Sequence, residues 1–164
     1  MVRQARPGAS DSIVVWCDAS NLAMGVVLEI DGNVIEDGTW MRPVDDKRHI
    51  NVVELEAALK GIKLALMWHV DYLVLRTDSR PVACWLEQVV GNVCRVKTSG
   101  LNDVLIQGRM QIIADMIDLA HCPVGIEWVP SAANHADCLT RVPEAWVAYG
   151  KTLLKRGLPM ARPC

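Results

Sequence analysis

The chain contains no phenylalanine, and aromatic residues occupy only 5% of its 164 positions. Bulky aromatic packing is therefore expected from its six tryptophans. None of the cysteines (Cys17, Cys84, Cys94, Cys122, Cys138 and Cys164) falls in a C-x-x-C pair, and nothing marks a secretory context. They read as free thiols of an intracellular protein rather than a disulfide framework. His121-Cys122 and His135-Cys138 carry zinc-ligand residue types. However, Cys17, Cys84 and Cys122 sit in or beside apolar segments, where a buried thiol is the usual explanation. No apolar run approaches the roughly 20 residues of a membrane span, so no membrane partner is expected. Met1 to Ser10 lacks the apolar centre of a signal peptide. Charge of one sign is also lacking, at a net −2. That argues against holding long nucleic acid by a global basic field. It does not exclude a nuclease, because clustered acids lower the count and bound divalent cations reverse it locally. The composition, 51% hydrophobic and 22% charged, is that of one globular domain with a substantial core.

Residues 1–11, rich in Arg, Pro, Gly and Ser, read as a flexible arm. Three strand-like runs follow, 13–19, 25–30 and 34–41, and Asp31-Gly32-Asn33 between the last two is a hairpin signal. A polar loop leads into a helix expected over 52–70, with Asn51 as N-cap and Glu54 at the capping-box position. Then come a strand at 72–77, a helix over 80–90 with Pro81 in its first turn, and a loop to Gly100 containing Arg95 and Lys97. A helix over 101–120, a strand at 126–129 and a short helix starting near Asn134–Asp137 and ended by Pro143 complete the pattern. This order implies an α/β fold: a five-stranded mixed sheet, an antiparallel meander plus two parallel strands, with helices on both faces. The expected organisation is an arm at 1–11, a domain over 12–142, and a C-terminal helical extension and tail over 143–164.

Four carboxylates stand out in this layout. Asp18 and Asp78 end apolar strands, Glu54 opens a helix, and Asp137 follows the last strand after a short turn. Acids at the ends of buried strands are costly unless they are paired or hold a metal. Ligands gather at the carboxyl ends of parallel strands, where Asp18 and Asp78 lie. At about 100° per residue, Glu54 shares a face with Ala57, Ala58, Gly61, Ile62 and Ala65. Glu56 falls on the opposite face and reads as a solvent acid paired with Lys60 at i+4. The simpler alternative for Glu54 and Asp137 is a capping box with Asn51 and Asn134 respectively.

Cys17-Asp18-Ala19-Ser20, Glu54-Leu55-Glu56-Ala57-Ala58-Leu59, Thr77-Asp78-Ser79, Trp128-Val129-Pro130-Ser131 and Asn134-His135-Ala136-Asp137-Cys138-Leu139-Thr140-Arg141 occur in that order. Together they resemble the ribonuclease H domain of a retroelement reverse transcriptase, and the last string is most similar to gypsy-type long-terminal-repeat retrotransposons. The resemblance spans about residues 12–142. It implies an RNase H-like fold, hydrolysis of the RNA strand of an RNA–DNA hybrid, and two Mg²⁺ (or Mn²⁺) ions per site. Asp18, Glu54, Asp78 and Asp137 are the metal-binding catalytic set it implies. Asn51 matches an asparagine that helps to recognise the RNA strand through its 2′-hydroxyl. Ser20, Asn21, Thr77 and Ser79 border the acids as substrate-binding candidates, with Arg80, Arg95 and Lys97 as phosphate contacts. Polymerase and integrase domains of a parent polyprotein are the implied protein partners.

The chain departs from many cellular ribonucleases H in one respect. The loop from Pro130 to Ala133 carries no histidine, and His135 is either an auxiliary that partly replaces it or an ordinary helix start. Two further readings stay open at this level. One is a domesticated binding or scaffold module that has lost cleavage. The other is a DNA-directed nuclease of the same fold, since fold does not fix substrate.

Overall fold

In a computed structural model, residues 12–91, 100, 102–141, 146 and 148 are described. The arm at 1–11, the loop residues Arg95 and Lys97, Pro143 and most of the extension over 143–164 lie outside them. Strands β1 (Ser12–Ala19), β2 (Ala23–Ile30) and β3 (Asn33–Met41) form the meander. At its second corner Asp31 and Gly32 both have positive φ, 50° and 76°. That is the backbone a two-residue hairpin turn demands, and Ile30 pairs with Asn33 across it. Helix α1 (Ile50–Leu66), strand β4 (Tyr72–Thr77), helices α2 (Arg80–Val90) and α3 (Asp103–Ala120) and strand β5 (Val124–Trp128) follow. A 3-10 turn, Ser131–Ala133, precedes a helix opening at residue 137. The sheet order is β3-β2-β1-β4-β5, with β1–β4 and β4–β5 parallel. The expected five-stranded mixed sheet is thus the observed one.

The sheet is covered on both faces. Ile13, Val15 and Cys17 of β1, with Val26, Leu28, Leu73 and Leu75, pack under α1, α2 and α3. Gly61 permits this approach, because a Cβ there would lie 2.6 Å from Val15 Cγ1. On the other face Trp16 and Val27 cluster with Ala136, Val129 and Leu139. Here the fit is equally close: a Cβ on Gly25 would meet Ala136 O and Leu139 Cβ at 3.0 Å.

Several sequence expectations change. Among the described residues the largest fully buried side chains are Ile, Leu and Val, and of the tryptophans only Trp16 is buried. Cys84, expected in the interior, is exposed on α2, whereas Cys17 and Cys122 are buried. Helix α1 begins and ends earlier than its apolar pattern suggested. His49 is its N-cap, its Nδ1 accepting from the Asn51 amide at 3.2 Å. Asn51 is therefore inside the helix, and Glu54 lies beyond capping-box range.

Glu56 is the clearest correction. Lys60 sits over the Trp40 ring at 5.1 Å instead of pairing with it. Glu56 accepts from Arg48 and from Arg109, the latter at 3.0 Å, and its side chain is only 20% exposed. Arg48 also binds Asp46, which binds Arg42. Arg42 is itself buried, donating Nη1 to Ser20 O at 3.0 Å and Nη2 to Arg48 O at 3.1 Å. Hydrogen bonds from Arg48, ahead of those from Arg42, hold the Asp46 carboxyl well below the usual carboxylate range. The ladder ties the loop before α1 to the β1 exit, to α1 and to α3. Glu56→Gln should thus lower folding stability by about 1–2 kcal/mol, more than the few tenths of an exposed i,i+4 pair. Urea unfolding midpoints of the two proteins measure this, and a change within a few tenths of a kcal/mol would show the ladder to be idle.

Candidate active site

Parallel pairing aligns Cys17 with Thr77, so Asp18 and Asp78, next in each segment, stand side by side at the carboxyl end of the sheet. Asp78 sits in a tight turn. Ser79 N donates to Thr77 Oγ1 at 3.1 Å, and Ser79 Oγ caps α2 by accepting from Val82 N. From the neighbouring strand Trp128 Nε1 donates to Asp78 O at 3.0 Å, and Arg80 stacks 3.9 Å from the Trp128 ring centre. Freed from capping duty, Glu54 faces the same place from the first turns of α1. One carboxylate oxygen each from Asp18, Glu54 and Asp78 lies within 4.8 Å of the other two. Asp137 opens the helix after the 3-10 turn and lines the same cleft of about 550 Å³, together with Ser20, Ser131, Thr140 and Arg141. It is not a member of that tight trio, and its Oδ2 pairs with Arg141 Nη2 at 2.8 Å.

Electrostatics follow from this crowding. Burial, then the Asp78 charge, raises the Asp18 pKa to about 6, with Asp137 adding to the shift. Hydrogen bonds from the Thr140 hydroxyl, 2.9 Å from Asp18 Oδ2, and from the Ala19 backbone oppose it. Burial also raises Glu54 to about 7; Ser79 opposes by hydrogen bonding, and the charges of Asp78 and Asp18 add to it. An all-carboxylate donor set whose members repel one another fits hard divalent cations such as Mg²⁺ or Mn²⁺. Such an ion neutralises the repulsion that the fold otherwise holds in place.

The remaining candidates are placed unevenly. Ser20 lines the cleft, but its hydroxyl is engaged: it donates to Thr140 O at 3.2 Å and accepts from the amides of Leu22 and Ala23. Thr77 and Ser79 are buried and shape the turn. Asn51 is half-buried, about 60° around α1 from Glu54. Asn21 is exposed and does not line the cleft. His135 does not line it either. Asn134 and Asp137 do not close a capping box, because the Asn134 N–H donates to Ser131 O at 3.1 Å. Asn134 is buried, donating Nδ2 to Cys17 O at 2.9 Å and accepting from Ala136 N at 3.1 Å. Sequence reasoning missed Thr140 and Arg141 as site residues. Their spacing of three and four from Asp137 was the available signal, because those positions share a helix face.

The raised acids set a pH dependence. Unfolded, Asp18 and Glu54 titrate near 3.8 and 4.5, and folded near 6 and 7. The native state therefore binds protons more tightly, and stability present below about pH 4 is lost as pH rises through the folded values. Without divalent cations the urea midpoint should be higher at pH 5 than at pH 8, and Asp78→Asn should shrink that difference by removing one repelling charge. A midpoint that rises from pH 5 to pH 8 would contradict the cluster's electrostatics.

No protein-family model matches the chain, and no curated protein sequence does. Solved structures do. The N-terminal RNase H domain of a Mycobacterium tuberculosis protein is 21% identical, with a TM-score of 0.61 over 84% of this chain and 98% of that one. RNase H1 of Halobacterium salinarum is 18% identical, with a TM-score of 0.58 over 82% and 97%. A foamy viral protease-reverse transcriptase, solved with an RNA/DNA hybrid, is 17% identical, with a TM-score of 0.55 over 78% of this chain and 19% of that one. With its five strands in the order 3-2-1-4-5, two of the pairings parallel, and its helices, this chain has the RNase H-like fold.

Proposed function

We propose that the protein is an endoribonuclease that hydrolyses the RNA strand of RNA–DNA hybrids with divalent cations held by Asp18, Glu54, Asp78 and Asp137. The observation that carries this reading is the convergence of Asp18, Glu54 and Asp78 within 4.8 Å at the carboxyl end of a parallel strand pair, with Asp137 on the same cleft. Its oxygen-only ligands suit Mg²⁺ or Mn²⁺, two ions per site, and the similar viral structure was solved with an RNA/DNA hybrid. When bound, such ions supply Lewis-acid activation of water and charge neutralisation of the leaving oxygen. The chain's own residues orient the acids. Thr140 and the Ala19 backbone hold the Asp18 carboxyl, Ser79 holds Glu54, and the Trp128 indole holds the Asp78 backbone. Arg141, exposed beside Asp137, offers its guanidinium to a phosphate at the cleft mouth. Asn51, close to Glu54 around α1, is assigned to the 2′-hydroxyl of the RNA strand.

Asp78→Asn should leave a folded protein with no Mg²⁺-dependent cleavage of a labelled RNA–DNA hybrid. Near-normal cleavage by that variant would remove Asp78 from the catalytic set. Substrate choice is a separate matter. Wild-type protein given hybrid, duplex DNA and duplex RNA, each with and without Mg²⁺, should cut only the hybrid, in its RNA strand and only with metal. A site built to bond a 2′-hydroxyl rejects deoxyribose because its polar partner is then missing. Asn51→Ala should accordingly weaken hybrid cleavage while leaving metal binding unchanged. Equal cutting of duplex DNA would favour the DNA-directed alternative. A folded wild type that binds hybrid without cutting it would favour the scaffold module.

A further inference from the structure

On the sheet face opposite α1 lies a polar cluster that the catalytic reading does not use. Trp16 and Glu29 are buried there, and Trp16 Nε1 donates to Glu29 Oε2 at 2.9 Å. The other oxygen of Glu29 bonds His135 Nδ1 at 2.5 Å, and the His135 ring stacks on Trp16 with centres 3.9 Å apart and planes 21° apart. An ionised carboxylate only accepts, so with Glu29 ionised the bond is a donation from His135 Nδ1–H. Arg76 lies over the same Trp16 ring at 4.8 Å and is held in turn by Glu127. A buried carboxylate is expensive unless its donors are supplied. Here both donors come from residues flanking catalytic candidates: Trp16 is two before Asp18, and His135 two before Asp137.

The rest of the segment is tied to the same three-stranded meander. Asn134 bonds Cys17 O, Thr39 Oγ1 donates to Leu139 O at 3.3 Å, and Thr140 bonds Asp18. Ala136 is fully buried against the gap left by Gly25. We infer that Trp16, Glu29 and His135 form a clamp that positions Asp137 for its metal. His135 is then a positioning residue that acts through the backbone of 135–137, and not a catalytic stand-in for a loop histidine. The inference rests on the reading that Asp137 helps to hold a divalent cation.

The test uses His135→Ala, which removes stack and hydrogen bond, and His135→Gln, whose amide still donates to Glu29. Because the His135 side chain is 53% exposed, both variants should fold. Glu29→Gln, which keeps an acceptor for Trp16, replaces His135→Ala should the latter fail to do so. Mn²⁺ binding to each free protein is measured by calorimetry without nucleic acid, alongside thermal midpoints and the amide NMR shift of Asp137. The expected result for His135→Ala is Mn²⁺ binding weaker by on the order of tenfold, a moved Asp137 amide and a nearly unchanged midpoint. His135→Gln should recover most of the affinity and the hybrid cleavage rate. Unchanged or tighter Mn²⁺ binding in His135→Ala overturns the clamp. His135→Gln that binds Mn²⁺ normally yet cleaves as poorly as His135→Ala overturns the assignment of His135 as a positioning residue, because the imidazole itself would then be catalytic. Wild-type protein that binds Mn²⁺ and loses affinity in His135→Ala, but cuts no hybrid, sinks the nuclease reading and leaves the clamp standing. Wild type that binds no Mn²⁺ sinks both.

Discussion

Mutual repulsion among carboxylates that the fold forces together is the constraint on which the rest of this structure depends. Asp18 and Asp78 cannot separate, because the register of two parallel strands fixes them. Glu54 cannot withdraw, because α1 is seated on β1 through the close approach at Gly61. Burial first, and then the charges of the neighbouring acids, raise Asp18 and Glu54 to about 6 and 7. Acids held together in this way need less reorganisation to meet a divalent cation than acids on a flexible segment would.

The supports are correspondingly stiff. The ladder from Arg42 through Asp46 and Arg48 to Glu56 and Arg109 braces the approach to α1 from one side. The bonds of Thr140, Ser20 and Asn134 brace the strand ends from the other. These contacts tie the loop before α1 and the segment around residues 134–140 to strand ends and helices, where a small domain has little apolar area available. Charged and neutral hydrogen bonds therefore do the locating that hydrophobic packing does under α1, α2 and α3.

Element order and the four acids were legible because they rest on local signals: apolar runs, Asp31-Gly32, and acids at strand ends. The elements begin and end within a few residues of expectation, and α1 ends earliest because its apolar stripe continues past Leu66 into Trp68 and Val70. The helix cap was misread because Asn51 is a better capping residue than His49 on propensity, yet His49 occupies the position. Long-range pairings were not legible. Nothing local to Glu56 distinguishes Lys60 at i+4 from Arg109, 53 positions away, and only the packing of α3 on α1 decides between them. Likewise Glu29 read as one residue of a strand until the sheet set Trp16 and His135 around it.

The seating of residues 134–140 against Gly25 also orders events in time. Asp18, Glu54 and Asp78 belong to the sheet and α1, whereas Asp137 lies on a later segment that docks on strands preceding it in the sequence. A growing chain thus presents three crowded acids before it presents the fourth, and the Gly25 slot stays open to water until residue 136 has been synthesised and released. Domains of this size gain their longest-range contacts last. The cleft is for that reason completed only once the sheet is already built, so three of its four acids stand together before the fourth is in place.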